Sequence, residues 1–107
     1  MIYKFKSKAG ADILMMGPNG DELLRLIGKP VAPKGILEPD AMPAALAALE
    51  QAVAADDAAR TQAEAEAAAE GKTLPPREGV GLRQRVWPFV ETLKRAHTQG
   101  HDIVWGV

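Results

Sequence analysis

From Ala54 to Glu70 the chain holds no aromatic residue and no aliphatic side chain larger than alanine. Every position there is Ala, Asp, Glu, Gln, Arg or Thr. Ala and Glu favour helix strongly, but nothing in the stretch can anchor a helix to an apolar interior. Any core must therefore come from the segments on either side. The stretch is expected as an exposed, fraying extension. With Lys72–Gly81, which carries Pro75, Pro76 and Gly79, it reads as a mobile acidic, Ala-rich extension and linker over residues 54–81.

The flanking segments are short enough to fix the rest of the reading. At 107 residues the chain is one domain, 1–107. It has no cysteine, which removes disulfides, thiolate metal sites and cysteine nucleophiles together. No apolar run approaches the ~20 residues that span a bilayer, and the start, Met1-Ile2-Tyr3-Lys4-Phe5-Lys6, has no leader-like apolar region. A cytoplasmic protein is expected. The net charge of −1 disfavours a nucleic-acid partner. Charge is nonetheless segregated: residues 1–37 carry +3, residues 38–70 carry −7, and residues 71–101 carry +4. Such segments form solvated faces or attract one another, within a monomer or across a dimer.

In residues 2–7, Tyr3 and Phe5 alternate with Lys4 and Lys6, the period of a half-buried strand. Asp12–Met16 is a continuous apolar run, expected as a more buried partner strand in a hairpin. Gly17-Pro18-Asn19-Gly20-Asp21 reads as a turn, with Asn19 or Asp21 capping a short helix over Glu22–Ile27 and Gly28 ending it. Ile36-Leu37, hemmed by Pro33 and Pro39, can form only a brief edge strand. Asp40 suits an N-cap. Beyond it Met42, Leu46, Leu49 and Val53 form one helical stripe. A last helix over Leu82–His97 carries Leu82, Val86, Phe89 or Val90, Leu93 and Ala96, with Pro88 kinking it or marking its true start. Asp102–Val107 reads as a buried strand. The expected fold is α+β: a small antiparallel three-stranded sheet, made of the N-terminal hairpin and the C-terminal strand, packed on two or three helices.

Three blocks resemble a known family. They are Met1–Ser7 with Gly20-Asp21-Glu22-Leu23-Leu24-Arg25; Ile36-Leu37-Glu38-Pro39 with Met42-Pro43-Ala44-Ala45; and Leu82-Arg83-Gln84-Arg85 through Trp87-Pro88 to Asp102–Val107. Together they are similar to a family of small bacterial proteins catalogued as domain of unknown function 1840. The resemblance spans the chain apart from residues 54–78. It implies a cytoplasmic bacterial protein and a full-length domain, and it brings no activity, substrate or catalytic residue.

The candidate site residues are few. Arg83 and Arg85 open the last helix, where the helix dipole disfavours cations. They call for a partner, either an anionic ligand, with His97 contributing, or the acids of the middle helix. His97 and His101 are four apart, a metal-binding spacing on one helix, but Gly100 falls between them; they stand as weak metal candidates and no metal is expected. The Gly17–Asp21 segment lacks the Lys-Ser/Thr of a phosphate loop. Adjacent acids such as Asp56-Asp57 and the lone Ser7 form no catalytic constellation, so neither a catalytic residue nor a cofactor is expected. Trp87 lies off the apolar stripe, as a second packing face or an interface anchor. The reading favoured by these residues is a non-enzymatic interaction domain that self-associates or binds another protein, not a membrane. The alternative is a small anion-binding module or minor enzyme using Arg83 and Arg85.

Overall fold

A computed structural model of the chain describes residues 2–73 and 81–106. Strands β1 (Ile2–Ser7) and β2 (Gly10–Met16) form an antiparallel hairpin, with Tyr3 opposite Met15 and Phe5 opposite Ile13. Helix α1 (Gly17–Leu26) follows directly, then β3 (Gly35–Leu37) and a 3-10 turn at Pro39–Ala41. Helices α2 (Met42–Ala69) and α3 (Leu82–Gln99) precede β4 (Ile103–Trp105).

The fold class is α+β with an antiparallel sheet, but the sheet has four strands rather than three, in the order β2-β1-β4-β3. The added strand is Gly35–Leu37, which pairs with β4 from Gly35↔Trp105 to Leu37↔Ile103. It lies at the sheet edge, where the nearby prolines remove no ladder hydrogen bond. Strand β4 sits between β1 and β3, with Phe5 opposite Trp105.

The helices cover one face of this sheet. Tyr3, Phe5, Met15, Leu37, Ile103 and Trp105 point into that layer and are buried with Leu23, Leu24, Met42, Leu49, Phe89 and Leu93. Four of the five aromatics meet there: Phe5 lies 5.9 Å from Tyr3, 5.2 Å from Phe89 and 5.7 Å from Trp105, centroid to centroid. Aromatic pairs at such separations add stabilisation beyond their buried area.

Three local expectations are corrected. Helix α1 begins at Gly17, not Glu22, because Pro18 supplies a preset first-turn φ and has no N–H to satisfy. Neither Asn19 nor Asp21 caps it; both side chains are drawn into contacts with other elements. Asp40 likewise does not cap α2, whose cap position is Ala41 after the 3-10 turn. The Asp12–Met16 run is an edge strand buried on one side: Met15 is buried, while Leu14 and Met16 are 66% and 62% exposed.

The expected stripes on the long helices are present, with Ala45 buried beside Met42, Leu49 and Val53, and Leu46 only partly buried at the edge of the core. Helix α2 continues unbroken through residues 54–69 of the expected extension, and its side chains there are mostly exposed. Residues 74–80 of that expected linker lie outside the described residues. Helix α3 runs through Pro88 from a start at Leu82, so Pro88 does not mark its beginning. The proline leaves the Gln84 carbonyl without its helical donor. Gly100, at φ 71°, closes α3 in the left-handed region that an L side chain rarely enters.

Candidate functional site

The fifth aromatic stands apart. Trp87 is 51% exposed on α3, and the Lys94 ammonium lies 5.9 Å from its ring centroid. This is a cation–π distance, and the two residues are two helical turns apart. Trp87 lines a groove of about 250 Å³ between α2 and α3, floored by Leu49, Val53, Val86 and Val90. The apolar stripe of each helix supplies this floor, and its four side chains are themselves buried members of the core.

The two helices run antiparallel. Arg83, in the first turn of α3, reaches Asp57 beyond the middle of α2 at 2.6 Å, and α3 also contacts the 3-10 turn that precedes α2. The groove walls therefore differ in charge. The α2 wall carries Glu50 and, at its outer end, Asp57; the α3 wall carries Arg83 and Lys94. The Arg83–Asp57 pair is exposed on both sides, and such pairs add little stability. Their effect is on which surface can approach.

Arg85 points elsewhere. Its guanidinium donates to Glu22 Oε2 at 2.8 Å and to Asn19 Oδ1 at 3.2 Å, tying α3 to α1. Both candidate arginines are thus engaged by carboxylates, on different helices. His97 is exposed in the last turn of α3, about 21 Å along the axis from Arg83. Arg83, Arg85 and His97 do not converge on one ligand. The left-handed Gly100 separates His97 from His101. His101 lies in a second cleft with Lys6, Ser7, Lys8, Asp102 and Val104. Among the described residues, no three His, Cys, Asp or Glu side chains gather as a metal site, and no helix is long and apolar enough to cross a membrane.

Two partly buried polar contacts between elements were not legible in the sequence. Arg85–Glu22 is one. The other is the Tyr3 hydroxyl, which donates to Asp21 Oδ1 at 2.5 Å. This hydrogen bond, reinforced by burial and by the Asp21 charge and opposed by Arg25, raises the Tyr3 phenol above its ordinary pKa of 10.0. The buried phenol was itself a signal, since an inward Tyr on a strand needs a partner for its O–H. A raised folded-state value means the unfolded chain loses its proton first. The contact's stabilisation is then complete below pH 10 and is lost as pH rises through the folded value. Urea midpoints measured between about pH 8 and pH 11 are expected to fall more steeply for the native chain than for Tyr3→Phe. Parallel slopes would remove Tyr3 from the alkaline transition.

The uncovered face of the sheet was not legible in the sequence either. Ile2, Leu14, Met16, Ile36 and Val104 lie there, with Lys4, Lys6 and Asp12. The model of one protein family, described as Domain of unknown function (DUF1840), matches residues 1–105. No curated protein and no solved structure matches the chain.

Proposed function

The chain belongs to the DUF1840 family over nearly its whole length, and from that premise, which attaches no chemistry to it, we propose that it is a non-enzymatic interaction domain that self-associates through the α2–α3 groove. The observation that carries this reading is the half-exposed Trp87 beside an apolar floor, between walls of opposite charge. A twofold axis running along the groove lays α2 of each copy over α3 of the other. Glu50 then faces the partner copy's basic wall, and each Trp87 meets the partner copy's apolar floor. Such a surface is self-complementary, as an isologous interface requires. The other twofold, across the groove, stacks α2 on α2 and brings acid toward acid, which is disfavoured. A central Trp packed against aliphatic side chains is the usual kind of hot spot.

Native mass spectrometry and sedimentation at micromolar concentration test this. Trp87→Ala is expected to weaken the dimer about thirtyfold, the equivalent of ~2 kcal/mol, while the monomer's thermal transition stays in place. Lys94→Glu should weaken it too, and adding Glu50→Lys should restore part of the loss. A native chain that is monomeric, or an oligomer indifferent to Trp87→Ala, would sink the proposal.

A further inference from the structure

The groove uses the helical layer; among the described residues nothing covers the sheet's other side. Five apolar side chains stand on that side. Ile2 pairs with Met16 across β1 and β2, Leu14 lies beside them, and Val104 pairs with Ile36 across β4 and β3. Ile2, Leu14 and Met16 are each more than 60% exposed. Single exposed apolar residues need no explanation, but two groups of them on one face of a sheet are the pattern of a contact surface.

Lysines run between the two apolar groups. Lys4 is opposite Leu14, and Lys6 is opposite Val104. Lys4 is 3.6 Å from Asp12. Lys6 and Val104 also line the second cleft, so the open face leads without a break into it. That cleft, about 440 Å³, adds Lys8 and the His101 imidazole against one carboxylate, Asp102. The surface is therefore apolar across the strands, and Lys4, Lys6 and Lys8 outnumber Asp12 and Asp102 along β1 and at the hairpin end.

We propose that this open face and its basic cleft dock an acidic amphipathic segment of a different protein. The partner's apolar side chains lie on Ile2, Leu14, Met16, Ile36 and Val104, and its carboxylates meet Lys6, Lys8 and the His101 N–H. The charge selects this occupant over a second copy. Two such sheets stacked about a twofold that passes through β1 bring Lys6 of one copy toward Lys6 of the other, and like charges across an interface are unfavourable. A helix with carboxylates flanking an apolar stripe matches both features of the face.

Fluorescence anisotropy with two dye-labelled synthetic peptides tests the inference. Each is about fourteen residues long with Leu at i, i+3, i+4 and i+7; one carries Glu at the remaining positions and the other carries Lys. The Glu peptide is expected to bind at least about tenfold more tightly than the Lys peptide. Leu14→Ser and Lys8→Glu, both at exposed positions that leave the core intact, should each weaken it by about tenfold. Trp87→Ala should leave it unchanged, so that failure here and failure of the groove dimer are separate results. Absence of binding, or equal affinity for the two peptides, would overturn the proposal. So would a loss of the chain's own oligomeric mass in Leu14→Ser, which would give the face to a second copy. Sedimentation of the chain with phosphatidylserine vesicles, without binding of the Glu peptide, would give it to a lipid surface instead.

Discussion

Deletion of residues 103–107 is expected to abolish cooperative folding. These residues contain β4, an inner strand that joins β1 to β3. Ile103 and Trp105 are buried, and Trp105 closes the aromatic cluster on Phe5 while its Nε1 donates to the Ala32 carbonyl at 3.3 Å. Without β4, β3 has no strand beside it among the described residues, and β1 becomes a sheet edge. A two-stranded hairpin that remains is marginal by itself. Truncating a buried Trp alone destabilises by about 3–5 kcal/mol, and burial of Ile103 adds a further ~2 kcal/mol or more. Small domains hold only about 5–15 kcal/mol in total. Far-UV circular dichroism against urea should show a shallow, non-cooperative loss of signal for the deletion. Trp105→Ala should retain a sigmoid at a much lower midpoint. A deletion variant with a native-like slope and midpoint would refute the role given to β4.

Gly20→Ala is expected to lower the melting temperature by about 10 °C or more. Propensity alone predicts the opposite sign, because Ala in a helix interior is favoured over Gly by about 1 kcal/mol. At this position the added Cβ would overlap the Tyr3 ring. The ring has little room to retreat: Tyr3 is buried, stacks against Phe5, and is held at its hydroxyl by Asp21, the residue next to Gly20. Overpacking of this kind destabilises by about 1–3 kcal/mol or more, and each kcal/mol moves the transition of a domain near this size by roughly 4–8 °C. Differential scanning calorimetry decides between the two. A rise in melting temperature would mean that α1 does not sit on Tyr3.

The helices and their buried stripes were legible because apolar spacing records which side of a helix faces the interior. Met42, Leu49 and Val53 on α2, and Val86, Phe89 and Leu93 on α3, are buried as their spacing implies. Strand alternation likewise placed Tyr3 and Phe5 inward. The Asp12–Met16 run was less legible. Five residues with apolar side chains on both sides are compatible with burial on two faces or with one exposed apolar face, and only the absence of a second layer decides between them. The start of α1 was hidden by Gly17-Pro18-Asn19-Gly20, whose turn-forming preferences are overridden once Gly20 is needed against Tyr3. The ends of the Arg83 and Arg85 pairs were unreadable for a different reason. The spacing on α3 shows two cations, but which acids face them depends on how α1 and α2 cross that helix.

The pairing of Phe5 with Trp105 is expected to form late in folding. Helices such as α2 relax within about a microsecond, and a hairpin such as β1–β2 forms in roughly 1–10 µs, because each draws on neighbours in sequence. The β1–β4 ladder must instead close a loop of about a hundred residues before any hydrogen bond rewards it. Until that loop closes, β1 is an unpaired edge in an apolar hairpin, the kind of surface on which growing chains associate wrongly. Dilution and low temperature during refolding should therefore favour recovery of the native chain, while conditions that merely strengthen helix would accelerate the steps that are already fast.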